Sequence, residues 1–265
     1  MNISVIIPVH EYNEVIKGYL DKAIESITKQ EGLEELPQII VVAPQEVFNK
    51  TVFDSNVQTI VNDGATDYQS QVNLGVDSVT TEYFSVLEFD DEYSVTYFKN
   101  ATKYIDSYPE IDVFLTMMIE VNEKNEGIKL TNETVWAQQF VGENGEMGYL
   151  NANALKQYTD FKLSGAVIKK SEFLNIGKFK TKIKLTFMYE FLLRALNNAC
   201  KVFSMPKIGY KHLATRPGSL FDEYQKNMPI DERKFWFETA NKEANFMNDR
   251  VIDTSRLQKV VVSEK

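Results

Sequence analysis

The chain has 265 residues and a mass of 30.5 kDa. At that size about three quarters of the unfolded surface can be buried, so folding requires neither disulfides nor a structural metal. Aromatic residues at 12% and charged residues at 25% exclude wholesale disorder, and a net charge of -9 excludes general clamping of DNA or RNA, which needs a basic surface. An anionic ligand on so acidic a chain needs a metal ion, helix N-termini or a few selected bases to hold it. The single cysteine, Cys200, rules out an internal disulfide and a cysteine-built zinc site, and reads as buried apolar filler. Two histidines, His10 and His212, leave little for a histidine-built metal centre.

The first element is the apolar run Ser4–Val9, a strand buried on both faces. No basic stretch precedes it, and it is too short for a signal peptide or a membrane span. The expectation is a cytoplasmic protein without an integral membrane segment. A helix follows from Val15, with Val15, Tyr19, Leu20, Ala23, Ile24 and Ile27 at helical spacing, ending at Glu31 and Gly32. Ile39–Val42 and Val57–Val61 are the next strands. Ser70 is the expected cap of a helix carrying Val72, Val76 and Val79. Tyr83–Leu87 is a strand, and Ser94 is the expected cap of the helix with Tyr97, Phe98, Ala101, Tyr104 and Ile105, which Pro109 stops. Strand and helix alternate through residue 110, which predicts a mainly parallel sheet covered by helices, with ligands at the carboxyl ends of its strands.

The second half changes character. Val113–Val121 reads as a strand, the glycine-containing Trp136–Leu150 as a flexible or hairpin-rich stretch, and Gly165–Ile168 as another core strand. Thr186–Ala199 is an amphipathic helix, Val202–Met205 a strand ended by Pro206, and Asp231–Met247 a last helix.

The most informative local feature is Glu88-Phe89-Asp90-Asp91, directly after a predicted strand. Side chains two apart in an extended segment point the same way, so Glu88 and Asp90 are expected to converge while Asp91 points elsewhere or starts a turn. Two carboxylates at a sheet rim suit Mg²⁺ or Mn²⁺ bridged to phosphate oxygens. The other reading of the same residues is a solvated turn before a helix. No Walker-type loop, Gly-x-Gly-x-x-Gly or Gly-x-Ser-x-Gly is present, which removes the usual nucleotide, dinucleotide and serine-hydrolase signatures.

In order and spacing these segments resemble the inverting GT-A-fold glycosyltransferases, over roughly residues 3–220. The matching residues are Ser4–Val9 with Tyr12-Asn13-Glu14, then Asn73 and Gly75, Glu82-Tyr83, and Glu88 with Asp90. Further on they are Gly165-Ala166-Val167, Ile176–Phe179, Glu190 with Arg194, and the stretch Tyr210–Leu220. The resemblance implies a GT-A-like three-layer α/β fold with a central, mostly parallel sheet. It implies a catalytic domain over 1–220, with a nucleotide-sugar half to about 110 and an acceptor half to 220, then a helical extension over 221–265.

The activity so implied is metal-dependent transfer of a sugar, with inversion, from a nucleoside diphosphate sugar to an acceptor hydroxyl. A UDP-sugar is the first choice of donor, with Mn²⁺ or Mg²⁺ as cofactor. On that reading Glu88, Asp90 and His212 bind the metal. Glu190 and Asp91 are the catalytic candidates, Glu190 as the base, and Pro8, His10, Glu11, Asp63, Asn73 and Arg216 lie against the donor. The acceptor is a glycan, a protein, a lipid carrier or a modified base, and self-association into a homo-oligomer stays open. Three departures stand against the family pattern: Ala43-Pro44 ends the second strand, Val72 precedes Asn73, and Phe187-Met188 occupy the place of an acidic pair. The second and third of these favour the alternative, a binding or structural protein that keeps the fold without turnover.

Overall fold

The computed structural model describes every residue except 63, 135, 136, 138, 142–144, 215, 217, 220–223, 225, 256 and 258–265. Strand β1 (Ile3–Pro8) is buried along its whole length. Helix α1 (Glu14–Thr28) starts where the Asn13 side chain accepts a hydrogen bond from the Ile16 N–H at 2.9 Å, and it buries Ile16, Leu20, Ala23 and Ile27. Next come β2 (Gln38–Ala43), the short helix α2 (Gln45–Lys50), which the sequence pattern did not predict, and the edge strand β3 (Val57–Val61). Helix α3 (Tyr68–Asp77) leads to β4 (Tyr83–Val86), β5 (Glu92–Tyr93) and helix α4 (Tyr97–Ser107).

Two predicted caps are corrected. Asp67 caps α3, accepting from the Ser70 N–H at 2.9 Å, so the helix starts earlier than expected. Helix α4 has Thr96 at its cap position without a side-chain bond, and Ser94 contributes only its carbonyl, to the Tyr97 N–H.

The second half contributes β6 (Val113–Val121), β7 (Gly127–Thr131), the hairpin of β8 (Gln139–Val141) and β9 (Met147–Tyr149), and α5 (Ala152–Gln157). Then follow β10 (Val167–Lys169), α6 (Lys170–Asn175), α7 (Phe187–Asn197), β11 (Val202–Leu213) and α8 (Ile230–Glu243). Among the described residues, eleven strands form one sheet in the order β3-β2-β1-β4-β10-β6-β11-β9-β8, with β5 paired to β11 and β7 to β6. Strands β3, β2, β1 and β4 are parallel, and β10 runs antiparallel between β4 and β6. Strand β11 runs parallel to β6, so β1, β4, β6 and β11 all end at the same edge.

Alternation along β1 sets the layers. Ile3, Val5 and Ile7 pack with α1 and α4 residues on one face, while Ile6 packs with α3, α7 and α8 residues on the other. The result is a mixed sheet between two helical layers, a GT-A-like three-layer α/β/α fold. Gly75 lets α3 sit directly on the sheet, since a Cβ there would lie 2.7 Å from Ile6 Cγ2.

Strand β11 departs most from the sequence reading, because Pro206 does not end it. The register against β6 slips between Met205 and Ile208 and again between Ile208 and Tyr210, so the proline, which has no N–H to give, falls at an irregularity where the ladder is interrupted. The strand then runs on to Leu213 and carries Tyr210 and His212 to the carboxyl edge.

Cys200 is 3% exposed, and burial, ahead of the nearby acids, pushes its thiol up to about 11. Little thiolate therefore exists at pH 8. Iodoacetamide at that pH is expected to label the native protein far more slowly than the urea-unfolded one, as read by mass spectrometry; equal rates would contradict the burial. Among the described residues no helix is long and apolar enough to cross a membrane.

Candidate functional site

Beyond Val86 the chain leaves β4 and folds into a tight turn in which the Asp91 N–H donates to the Glu88 carbonyl at 3.0 Å. The turn decides which acids meet. Two-residue alternation holds only while the backbone is extended, whereas a turn brings its first and fourth residues together. Glu88 therefore gathers with Asp91, and Asp90 is directed to a different partner.

Asp91 is fully buried at its side chain and is held from the end of β11. His212 Nδ1 lies 2.9 and 3.1 Å from its two oxygens, and the Leu213 N–H donates to Oδ1 at 2.9 Å. Glu88 is fixed at both ends. Its backbone N–H donates to the Tyr210 hydroxyl at 3.1 Å, and its Oε1 accepts from the Ser164 hydroxyl at 2.5 Å. The Ser164 turn is itself clamped. Gly165 has φ +69°, a Cβ on it would fall 2.2 Å from the Tyr210 ring, and its carbonyl accepts from the Tyr97 hydroxyl at 2.5 Å. One ligand atom from each of Glu88, Asp91 and His212 lies within 4.8 Å of the others.

Burial is the main force raising the Glu88 carboxyl, to about 7, with Asp91 and then Asp90 adding to it against His212 and Ser164. For His212 burial alone would lower the value, but Asp91, then Glu88 and Asp90, outweigh it and raise the imidazole to about 10. Without a metal the imidazolium of His212 is the positive charge of the cluster, and Glu88 is only partly ionised near neutral pH. Two carboxylates and one imidazole, converging at one point, are a donor set that fits Mn²⁺ or Mg²⁺, with the cation taking over the positive charge that His212 otherwise supplies.

Asp90 belongs to a second, adjoining group. Arg216 Nε donates to Asp90 Oδ2 at 2.5 Å, and the guanidinium lies 5.1 Å over the Phe89 ring, whose centroid is 5.2 Å from that of His10. Burial first, then Asp91, raises the Asp90 carboxyl against the pull of Arg216. His10 also approaches Glu11, at 3.5 Å, and burial is the main cause of its lowered pKa.

The remaining sequence candidates divide. Pro8 ends β1 beside Val42, and Glu11 is exposed next to His10. Asp63 lies outside the described residues. Asn73 serves the fold: its amide nitrogen donates to the Phe179 carbonyl at 2.8 Å, and its oxygen accepts the Phe179 N–H at 3.0 Å, which ties α3 to the 176–180 loop.

Glu190 departs furthest from its expected role. Its carboxylate is wholly buried, accepts from Arg194 Nε at 2.8 Å and Nη2 at 3.0 Å, and has Lys180 Nζ at 3.2 Å. Arg194 also donates to the carbonyls of Ile176 and Lys178, and Lys180 donates to that of Glu243. A carboxylate sealed from solvent between two cations is not placed to take a proton from an acceptor hydroxyl; it cross-links α7, the 176–180 loop and the end of α8.

Sequence reasoning missed Ser164 and Tyr210. Gly165 next to Ser164 was the available signal, since a glycine entering a core strand marks close backbone approach. Tyr210 stood only at the start of the closing stretch Tyr210–Leu220, and the apparent stop at Pro206 hid the strand that carries it.

No protein-family model matches the chain, and no curated protein matches it. Solved structures do. Staphylococcus aureus TarS, residues 1–349 in complex with UDP-GlcNAc, superposes with a TM-score of 0.68 at 17% identity, covering 92% of this chain and 66% of that one. The complex of the same protein with UDP gives 0.60 at 16% identity, covering 89% and 78%. A further structure of TarS 1–349 gives 0.60 at 13% identity, covering 92% and 81%. The chain thus shares the TarS fold and spans just under two thirds of the length of the first of these structures.

Proposed function

We propose that this protein is a metal-dependent glycosyltransferase that takes a sugar from a nucleoside diphosphate donor, a UDP-sugar first of all, and passes it with inversion to an acceptor hydroxyl. The observation that carries the reading is the convergence of Glu88, Asp91 and His212 at the carboxyl edge of a sheet whose fold is shared with a protein solved with UDP-GlcNAc. In open α/β sheets that edge is where ligands bind.

In this reading Glu88, Asp91 and His212 hold the cation. Bound there, it supplies charge stabilisation for a departing diphosphate. Ser164 and Tyr210 keep Glu88 in position. Arg216, stacked on Phe89 and paired to Asp90, is the residue we assign to a diphosphate oxygen. His10, which also packs against Phe89, lies beside the nucleoside.

A second reading, a binding protein that keeps the donor site without turnover, is favoured by one specific observation. Glu190 is locked in an internal ion pair, and Phe187 and Met188 precede it where an acidic pair would otherwise stand.

Calorimetric titration of the protein with UDP and with UDP-GlcNAc, each with and without Mn²⁺, tests both. Binding that requires Mn²⁺ is expected. Failure of every nucleotide sugar tried to bind in a metal-dependent way would overturn the proposal. Release of UDP from UDP-GlcNAc then separates the readings, because the second predicts binding with none.

A further inference from the structure

We infer that the Tyr68 hydroxyl is a hydrogen-bond donor to a phosphate oxygen of the ligand held at the Glu88–Asp91–His212 cluster. This rests on the nucleotide-binding reading above and adds to it a ligand contact outside the acidic turn and the β11 end.

Three observations carry it. The Tyr68 hydroxyl is buried and has no hydrogen-bond partner among the described residues. Leaving a buried hydroxyl unpaired costs about 1–3 kcal/mol; of the six such side-chain atoms among the described residues, this one is the phenol whose electrostatic neighbours are Glu88 and Asp91. Second, its ring is held from two sides, 5.3 Å from Phe187 and 6.2 Å from Phe179, on the first turn of α3. The hydroxyl is therefore placed by packing, not by a bond of its own. Third, its electrostatic neighbours are Glu88 and Asp91, two members of the cluster.

The chemistry then selects the kind of ligand atom. Burial, and after it the charges of Glu88 and Asp91, raise the phenol well above its ordinary value, so it stays protonated and keeps an O–H to donate. An acceptor oxygen that comes to a site lined by carboxylates must arrive with a cation, and a phosphate oxygen bridged to that cation meets both conditions. Tyr93 and Tyr97 show the contrast. Both are also buried near Ser85, and both hydroxyls are engaged there, Tyr93 at 2.7 Å and Tyr97 at 3.1 Å from its oxygen.

The test is Tyr68→Phe, which keeps the ring and removes only the hydroxyl. Wild type and variant are titrated with Mn²⁺ alone and with UDP at saturating Mn²⁺, and their ligand-free melting temperatures are compared. The expected result is UDP affinity down about tenfold, the effect of one hydrogen bond to a charged acceptor. Mn²⁺ affinity stays unchanged, and the melting temperature is equal or slightly higher.

Unchanged UDP affinity in the variant overturns the inference while leaving nucleotide binding intact. A parallel loss of Mn²⁺ affinity also overturns it, because the hydroxyl then supports the cluster and not the phosphate. A drop of several degrees in the ligand-free protein overturns it too, by exposing a structural partner. If the wild type itself fails to bind UDP with Mn²⁺, the parent reading falls and this inference falls with it.

Discussion

In the double variant Glu88→Gln, Asp91→Asn, Mn²⁺ affinity is expected to fall by roughly a hundredfold or more, since loss of even outer-shell partners of a metal costs about 10–100-fold. Metal-dependent UDP binding disappears with it. Both substitutions keep the size of the side chain. The Ser164 contact to Glu88 and the Leu213 contact to Asp91 are each made to a carboxylate oxygen that the amide retains. Loss of binding therefore reports the negative charge and not a collapsed turn, which an unchanged circular dichroism spectrum checks.

Asp90→Asn is the informative control. Asp90 faces Arg216 rather than the cluster, so its removal leaves Mn²⁺ affinity within a few-fold of wild type and weakens UDP binding through Arg216. If Asp90→Asn matches the double variant in Mn²⁺ affinity, the assignment of Asp91 over Asp90 as the third ligand is wrong. Full Mn²⁺ binding by the double variant would remove the metal site altogether.

Glu190→Ala is expected to destabilise the fold by about 3–5 kcal/mol, because it strips the shared partner from two buried cations, Arg194 and Lys180. For a chain of this size that corresponds to a melting temperature lower by about 10 °C. The loss appears with or without ligand, since the carboxylate holds α7 to the 176–180 loop and to the end of α8 through Lys180. Glu190→Gln keeps part of the hydrogen bonding and falls in between. The measurement is thermal unfolding by differential scanning calorimetry. A variant that melts with wild type yet loses sugar transfer would return Glu190 to the role of base.

The two variants mark where sequence patterning succeeds and where it fails at this site. Glu88 was legible as a candidate because it follows a strand with aromatic and β-branched residues, and the carboxyl ends of such strands are where ligands bind. Its partner was not legible. The alternation that favoured Asp90 belongs to extended backbone, and the chain leaves that state at Leu87, so the choice between Asp90 and Asp91 rests on one turn hydrogen bond from the Asp91 N–H to the Glu88 carbonyl. His212 was named from its place in a closing stretch. The structure brings it in by another route, the continuation of β11 through the register shifts that follow Met205.

Glu190 shows the complementary failure. A Glu and an Arg four apart on a helix read equally as a surface pair, a catalytic acid with its orienting base, or a buried anchor. Local spacing is the same in all three. What separates them is whether α8 and the 176–180 loop close over that face of α7, and they do: Glu190 and Arg194 are both fully buried. Asn73 is similar, an amide that a motif assigns to a ligand and that the fold spends on the Phe179 backbone.

Sequence by itself determined the alternating strands and helices of the first 110 residues apart from the short α2 and β5, the buried strand that opens the chain, and an acidic strand end with too few bases nearby to hold phosphate unaided. Those features depend on periodicity and composition, which act over a few residues. Only the tertiary structure decided which carboxylate joins Glu88, that β11 reaches the cluster, that Ser164 and Tyr210 hold Glu88, and that the Tyr68 hydroxyl is buried with no hydrogen-bond partner among the described residues. Each of the contacts across the sheet joins segments far apart in the chain, as much as 122 residues in the Leu213 contact to Asp91, and no local pattern encodes a distance of that kind.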